Sequence, residues 1–183
     1  MTIVCWDGAI LAADSLISTG EVVSYLRSKI QICRQSAFAA AGSEFDIDAF
    51  ANAVRSDTLS EFNFQTSAEV IYLTPSTAKH YLGHGSDDDT KTVTDSLNCI
   101  TSMGHSSAFA DGLMRIAKYN AHEAALHTTT YSLYCRPPIY SISRKQLAKI
   151  PPDFDGYWIG TYKTPLTAVK DCLITSKQWE KTG

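Results

Sequence analysis

The order of the predicted elements constrains the fold of this chain more than any other feature. Five runs of β-branched and small apolar residues precede the first helix, and they cover residues 2–6, 9–13, 22–26, 29–33 and 37–41. The dipeptide Asp7-Gly8 between the first two runs is a strong two-residue hairpin signal. This order differs from the regular strand–helix alternation of a parallel sheet and favours antiparallel sheets.

Helices are predicted after these strands, and further strands lie between them. Ser43 is a good N-cap, Glu44, Asp46 and Asp48 favour the first turns, and apolar residues recur at helical spacing up to Val54. Other helices are predicted near residues 107–120, 121–129 and 165–173, and other strands near 70–73, 79–82, 98–103 and 139–143. We therefore predict an α+β fold, a four-layer αββα sandwich of two antiparallel sheets with helices on their outer faces.

Composition narrows the class of protein. Hydrophobic residues make up 44% and charged residues 19% of the 183 residues, and the net charge is −3. A negative net charge does not favour binding to nucleic acid or to an anionic membrane. No apolar run is long enough to span a bilayer. The five cysteines show no CxxC spacing, so we expect reduced thiols, mostly in buried strands, in a cytoplasmic protein. The run 87–89 of aspartates indicates a loop tip.

Neither a metal ion nor another cofactor is expected. The pair His122 and His127 lies five residues apart, which is off the spacing that places two ligands on one helix face. His80 and His84 show no ligand pattern with cysteines or carboxylates, and the glycines form no phosphate loop.

Four segments carry a resemblance to a known family. They are TIVCWDGAILAADS (2–15), RSKI (27–30), AFAAAGSEFDIDAF (37–50) and MGHSSAFADG (103–112). Together they resemble proteasome β subunits and the bacterial two-ring threonine protease, which are N-terminal nucleophile hydrolases. The short form of the chain is most similar to the stand-alone proteasome homologues of proteobacteria and phages.

The resemblance implies a catalytic set of Thr2, Asp14 and Lys29, with the Gly42 amide as oxyanion hole. A threonine hydroxyl is a poor nucleophile and needs a base. Removal of Met1 would expose the Thr2 α-amine, whose pKa of roughly 7.7–8.0 leaves part of it neutral near pH 7. A nearby lysine helps to keep that amine neutral, the aspartate holds the lysine, and one oxyanion donor stabilises the transition state by about 3–4 kcal/mol.

Two positions depart from the family pattern. His105 stands where the family has the serine of its Gly-Ser-Gly turn, with Ser106 after it; His105 is either a solvated loop residue or a partner of the Thr2 amine. Near Pro137-Pro138, Ser132 and Cys135 take the places of the aspartate and serine of a late motif, so no carboxylate is available there. Met1 itself departs as well, because an attached methionine leaves Thr2 without a free amine.

The chain also differs in length from the family. Residues 56–69 leave little room for the second long helix that relatives carry. The segment from about 151 to 183 is longer than in the two-ring protease, and we interpret it as a C-terminal extension of a single domain covering 1–183. Both changes touch surfaces that the family uses for assembly.

Three functions remain open. The first is a threonine peptidase that cleaves unfolded polypeptides inside stacked hexameric or heptameric rings, with a possible ATP-dependent unfoldase as partner. The second is a ring-forming scaffold that has lost activity, and the third is a small-molecule amidase of the same superfamily.

Overall fold

The computed structural model describes residues 2–19, 22–85 and 91–180, with side chains left out for 18, 19 and 22–25. Met1 and the loop tip predicted at 87–89 lie outside these ranges. No helix in the described part is both long and apolar enough to cross a membrane.

The strands and helices follow one another along the chain as predicted in outline. The strands are β1 (Ile3–Trp6), β2 (Ile10–Ala13), β3 (Leu16–Thr19), β4 (Val22–Leu26), β5 (Gln31–Cys33), β6 (Ser36–Ala41), β7 (Ser67–Leu73), β8 (Ala78–His84), β9 (Lys91–Asp95), β10 (Thr101–Gly104), β11 (Tyr140–Ser143), β12 (Asp155–Trp158) and β13 (Leu173–Ile174). The helices are α1 (Glu44–Ser56), α2 (Ser107–Arg115), α3 (Ala121–Tyr131), α4 (Arg144–Leu147) and α5 (Ser176–Glu180), with a 3₁₀ helix at Leu166–Cys172.

Among the described residues the strands form two main sheets and one ribbon. The smaller sheet has the order β10-β1-β2-β11, the larger sheet has the order β13-β12-β5-β6-β7-β8-β9, and β3 pairs with β4. Every pairing is antiparallel.

The first strand shows how the layers are built. Successive side chains of a strand point to opposite faces. Val4 and Trp6 pack into the core between the two sheets, and Ile3 and Cys5 pack under α2 and α3. Because both faces of β1 are covered, its four residues are all buried and its apolar run is continuous rather than alternating.

The larger sheet is covered on its outer face by α1. Phe50, Ala51 and Val54 of this helix pack against Phe38 and Val70 of the sheet. The resulting order is α2 and α3, smaller sheet, larger sheet, α1. The predicted four-layer αββα sandwich is confirmed.

The connection between β1 and β2 is longer than the two-residue turn that Asp7-Gly8 predicted. Trp6 pairs with Leu11 and β2 begins at Ile10, so residues 7–9 form the connection. One oxygen of Asp7 accepts hydrogen bonds from the amides of Ala9 and Ile10, and the other accepts from the amide of Ala121 at the start of α3. The aspartate therefore ties the turn to a helix, which overrides the local turn preference.

Other boundaries also differ from the sequence predictions. The strand expected at 98–103 begins at Thr101, the helix expected at 107–120 ends at Arg115, and the helix expected at 165–173 is 3₁₀ followed by β13. Only Cys5 and Cys33 of the five cysteines lie in strands, and Cys99 is exposed, so the prediction that most are in buried strands is wrong.

The region expected to lack a long helix contains none: residues 57–66, all described, are turns and irregular structure. The C-terminal segment is built into the larger sheet, since β12 pairs with β5 through Tyr157 and Gln31. It therefore lies beside the strand that follows Lys29.

Candidate active site

Thr2 lies directly before β1, an inner strand of the smaller sheet, and is fixed there by main-chain contacts. Ile3 pairs with Gly104 of β10, and the amide of His105 donates to the Thr2 carbonyl over 2.9 Å. Gly104 has φ +95°, and a Cβ at this position would lie 2.0 Å from the Thr2 carbonyl oxygen. Only glycine permits so close an approach, so the sequence Gly104-His105 sets the position of Thr2.

Asp14 follows β2 and is fully buried. Its Oδ1 accepts from the Ile3 amide over 3.0 Å, and its Oδ2 accepts from the amides of Leu16 and Arg136 over 3.2 and 3.3 Å. These donors neutralise part of the cost of burying the charge and hold the carboxylate in one orientation.

Lys29 connects Asp14 with Thr2. Its Nζ donates to Thr2 Oγ1 and to Asp14 Oδ1, each over 2.6 Å. The side chain of Lys29 is 6% exposed and that of Asp14 is 0% exposed. The three residues therefore form one contiguous group in which the ammonium bridges the hydroxyl and the carboxylate.

The segment around Lys29 is anchored on both sides. Ser28 Oγ donates to the Trp158 carbonyl over 2.5 Å and accepts from the Ile30 amide over 3.2 Å. The Trp158 amide in turn donates to the Ile30 carbonyl over 3.0 Å. The C-terminal segment thus holds the chain that delivers the lysine.

The ammonium form of Lys29 is less favourable than that of an exposed lysine. Burial lowers the pKa of Lys29 because it penalises the ammonium form, and the charge and hydrogen bond of Asp14 oppose that effect without cancelling it. A lysine in this state stabilises negative charge on the threonine oxygen and can exchange a proton with it.

Gly42 lies between β6 and α1 and faces the same cleft. Its φ is +143°, and a Cβ would lie 2.6 Å from the Ala68 Cβ. The chain requires glycine at this point because β7 passes directly behind it. Thr2, Lys29 and Gly42 all line one cavity of about 150 Å³.

The supporting residues occupy other positions around Thr2. The His105 ring packs edge-on against the Tyr134 ring with centroids 4.6 Å apart, and Ser106 adopts a left-handed conformation (φ 74°) before α2. The part of His105 that contacts Thr2 is its backbone amide, so a role of its ring toward the Thr2 amine stays a prediction.

Ser132 and Cys135 follow α3. Ser132 Oγ accepts from the Tyr134 amide over 3.2 Å, and Cys135 is fully buried. Burial raises the pKa of the Cys135 thiol and the nearby Asp14 charge adds to this, while a hydrogen bond with Ser132 and the charge of Lys29 act in the opposite direction. The thiolate form of Cys135 is therefore disfavoured, which argues against a second nucleophile at this position.

Sequence reasoning missed two residues of the cleft. Arg27 and Tyr157 line it, together with Gln31 and two acidic residues of α1, Glu44 and Asp48. The alternation of side-chain direction along an extended chain could have identified Arg27, since residues 27, 29 and 31 fall on one side of such a segment. No local signal identifies Tyr157, which is brought in by the pairing of β12 with β5.

Metal-binding clusters are absent from residues 2–19, 22–85 and 91–180. Within them, no group of three or more histidine, cysteine, aspartate and glutamate side chains is arranged to hold a metal ion.

Comparisons with known proteins identify the fold. No family profile matches the sequence and no curated protein matches it. Solved structures do match. BPH from Thiobacillus denitrificans, in its complex with epoxomicin, is similar with a TM-score of 0.54 and 16% identity over 77% of this chain and 96% of BPH.

Two further structures are similar to the same extent. A Gly-1 mutant of Anbu from Hyphomicrobium sp. strain MC1 matches with a TM-score of 0.54 and 12% identity, over 78% of this chain and 81% of Anbu. Eukaryotic HslV from Trypanosoma brucei matches with a TM-score of 0.51 and 14% identity, over 78% of this chain and 98% of HslV. This chain therefore has the fold of the proteasome-like N-terminal nucleophile hydrolases.

Proposed function

We propose that this chain is a threonine peptidase that hydrolyses peptide bonds through the hydroxyl of Thr2 after removal of Met1. The observation that carries the proposal is the Lys29 ammonium, which donates over 2.6 Å both to Thr2 Oγ1 and to Asp14 Oδ1. A buried lysine held by a carboxylate against a hydroxyl at the floor of a cleft is an arrangement suited to activating that hydroxyl.

The proposed reaction has two steps. Thr2 Oγ attacks the scissile carbonyl while the Thr2 α-amine takes the hydroxyl proton, and the amine then gives that proton to the leaving amine as the C–N bond breaks. Water next attacks the acyl-Thr2 ester and releases the acid with free Thr2. Lys29 lowers the energy of negative charge on Oγ, and the Gly42 amide would serve the oxyanion.

Removal of Met1 is an essential part of this proposal. An amide nitrogen carries no basic lone pair, so Thr2 with methionine attached has no base of its own. Met1 lies outside the described residues, and its fate must be measured.

Intact mass spectrometry after incubation with epoxomicin, the compound in the BPH complex, tests the proposal. We expect wild-type protein to lack Met1 and to gain one epoxomicin mass, and Thr2→Ala to gain none. Thr130→Ala, which alters an exposed threonine outside the cleft, is the matched control and should still be labelled. Protein that keeps Met1 and gains no mass would contradict the proposal and support the scaffold.

We further propose that the chain assembles into stacked rings of six or seven subunits that enclose Thr2. The outer face of α2 and α3 supports this, because large apolar side chains are exposed there: Phe109, Leu126 and Tyr131 on the helices, and Ile116 directly after α2. Exposed apolar area of this kind favours contact with another subunit.

The free cysteines fit a cytoplasmic location. An ATP-dependent unfoldase would supply unfolded polypeptide to the chamber that such rings enclose.

Sedimentation velocity tests the assembly. A closed double ring should sediment as about twelve to fourteen chains of 20.1 kDa each. Ile116→Glu, on the exposed face, should shift the protein to smaller species, while Lys149→Glu on an unrelated exposed site should not. A wild-type mass of one or two chains would contradict the rings and favour the small-molecule amidase.

A further inference from the structure

Arg27 lies in the wall of the cleft that contains Thr2, and its charge is unbalanced in the described part of the chain. No described carboxylate lies within ion-pair distance of its guanidinium, and its buried Nε has no hydrogen-bond partner. Burying a polar N–H without a partner is costly. Because Arg27 also lines the cavity that contains Thr2, a ligand carboxylate would balance its charge through the Nη donors that Tyr157 does not use.

The guanidinium is held in place by the C-terminal segment. Arg27 Nη2 donates to the Tyr157 hydroxyl over 2.5 Å, and Arg27 Cζ lies 4.5 Å from the centroid of the Tyr157 ring. Tyr157 is itself buried and is fixed by pairing with Gln31 and Ile174. The main chain of Arg27 is also fixed, since its amide donates to the Ser15 carbonyl over 2.8 Å.

We propose that Arg27 is a specificity-determining residue that binds a carboxylate of the substrate beside the scissile bond. This inference rests on the proposed peptidase function and names the substrate class of the same site. A guanidinium has five N–H donors in a planar fork that matches a carboxylate. The Tyr157 contact uses one Nη donor and fixes the plane, so little freedom is lost when a carboxylate binds.

The position of the carboxylate follows from the size of the cleft. Thr2 and Arg27 line the same cavity of about 150 Å³. A group on Arg27 therefore belongs to the residue whose carbonyl Thr2 attacks or to a direct neighbour. Lys29 does not compete for it, because its ammonium is already paired with Asp14.

Two acidic side chains line the same cleft, and their effect is weaker. Glu44 and Asp48 on α1 are exposed, so water screens their charges. Arg27 is less exposed and partly desolvated, and a charge interaction gains strength as water is removed. The charge of Arg27 therefore outweighs those of Glu44 and Asp48 near its guanidinium, and a negatively charged substrate group is favoured there over a positively charged one.

The same chemistry can come from two sources. One is an aspartate or glutamate side chain within the peptide, and the other is the terminal carboxylate of the peptide itself. The first makes the protein selective for acidic residues, and the second makes it a peptidase of chain ends.

Peptide binding to the Thr2→Ala variant separates these sources without any need for turnover. Fluorescence anisotropy would compare alanine-rich peptides in which one glutamate is moved stepwise along the chain with the same peptides carrying glutamine. Each peptide is prepared with a free and an amidated C-terminus. We expect one acidic form to bind about tenfold or more tightly than its neutral match, which corresponds to one charged hydrogen-bonding contact.

The decisive comparison is the double variant Thr2→Ala with Arg27→Gln, in which this preference should fall to about onefold. Equal binding of acidic and neutral peptides, no binding of any of them at millimolar concentration, or a preference that survives Arg27→Gln would overturn the inference. None of these outcomes affects the epoxomicin test of wild-type protein, so failure of the inference is distinguishable from failure of the proposed function.

Two milder variants keep the inference testable if Arg27→Gln fails to fold. Tyr157→Phe removes the hydroxyl that orients Arg27 but keeps the ring, and should reduce the preference several-fold with circular dichroism unchanged. Glu44→Gln should raise affinity for the acidic peptide by less than about threefold. Tighter binding of lysine peptides than of glutamate peptides, lost in Glu44→Gln, would show that the acidic residues control the cleft and would overturn the proposal.

Discussion

Asp14 and Asp46 are both fully buried aspartates, yet they are stabilised in different ways. Asp14 pairs with the Lys29 ammonium and accepts main-chain hydrogen bonds directly after β2, an inner strand of the smaller sheet. Asp46, in the first turn of α1, has no ion-pair partner among the described residues. It accepts from the amides of Gln65 and Thr66 over 2.8 and 3.0 Å, and from the hydroxyls of Ser43 and Thr66.

The different partners of Asp14 and Asp46 indicate different roles for the two carboxylates. The donors on Asp46 belong to the α1 N-cap and to the irregular segment that follows α1, so this residue fastens residues 57–66 to the start of the helix. Asp14 instead holds a cation against the Thr2 hydroxyl in a cleft. Neutral donors are sufficient to hold a loop, whereas a charged partner is needed where the site must stabilise an oxyanion or move a proton.

The largest expected effect on labelling follows from removing Lys29, the cation that pairs with Asp14. Lys29→Ala should slow the reaction with epoxomicin by at least about a thousandfold, because the hydroxyl loses its charged partner. The circular dichroism spectrum should remain that of the wild type, since Asp14 keeps its main-chain donors. Lys149→Ala, at an exposed site, is the control; labelling of Lys29→Ala at the wild-type rate would rule out the assigned mechanism.

Asp14→Asn should have the next largest effect. The amide keeps the shape of the side chain but removes the charge that anchors Lys29, and a charged hydrogen bond of this kind corresponds to roughly 10- to 100-fold in rate. The rate of adduct formation is the measurement, and Asp153→Asn at an exposed position is the control. An unchanged rate would mean that Lys29 needs no counter-ion.

Asp46→Asn should act on stability and not on labelling. Loss of the charge weakens the hydrogen bonds from Gln65 and Thr66, and we expect the free energy of unfolding to fall by about 1–3 kcal/mol. Urea denaturation measures this change, and labelling by epoxomicin at 25 °C should stay within about twofold of wild type. A labelling defect as large as that of Asp14→Asn would remove the distinction between the two carboxylates.

The smallest effect concerns the pH dependence of that stability difference. Burial by itself raises the pKa of Asp46, but the hydrogen bonds from Thr66, Gln65 and Ser43 outweigh it and lower the pKa below its ordinary value of 3.8. The unfolded chain therefore binds a proton more readily, and the stabilisation is present above pH 3.8 and lost as pH falls through the lower folded pKa. Wild type and Asp46→Asn should converge in unfolding free energy below that point, and a gap that widens with acid would reverse the assigned sign.

Much of the fold could be predicted from local patterns. The continuous apolar run of β1 indicates a strand buried on both faces, and Ser43 marks the start of α1, where its side chain accepts from the Asp46 amide. The turn at Asp7 was predicted too short, because the Asp7 carboxylate also binds the start of α3, more than a hundred residues away. The ends of such turns depend on contacts with residues that are distant in the sequence, so a short stretch of sequence does not predict them.

Part of the candidate site was also predicted, but from resemblance to a family and not from local sequence patterns. The grouping of Thr2, Asp14 and Lys29 came from resemblance, and the structure brings these side chains into contact; their catalytic roles stay predictions. The local sequence gave Asp46 no role beyond a favourable charge in a first helical turn. Its actual partners lie 19 and 20 residues further on, in a segment without regular structure.

The sequence by itself determined the type of the segments with the clearest patterns, such as β1 and α1, because periodicity and capping act over a few residues. Only the tertiary structure decided which buried charges meet. Arg27 reaches Tyr157 across 130 residues because β12 pairs with β5. Lys29 reaches Asp14 because the segment that precedes β5 meets the segment that follows β2. Such pairings follow from strand register and from the requirement that buried charges find partners, which operate between segments that are distant in the chain.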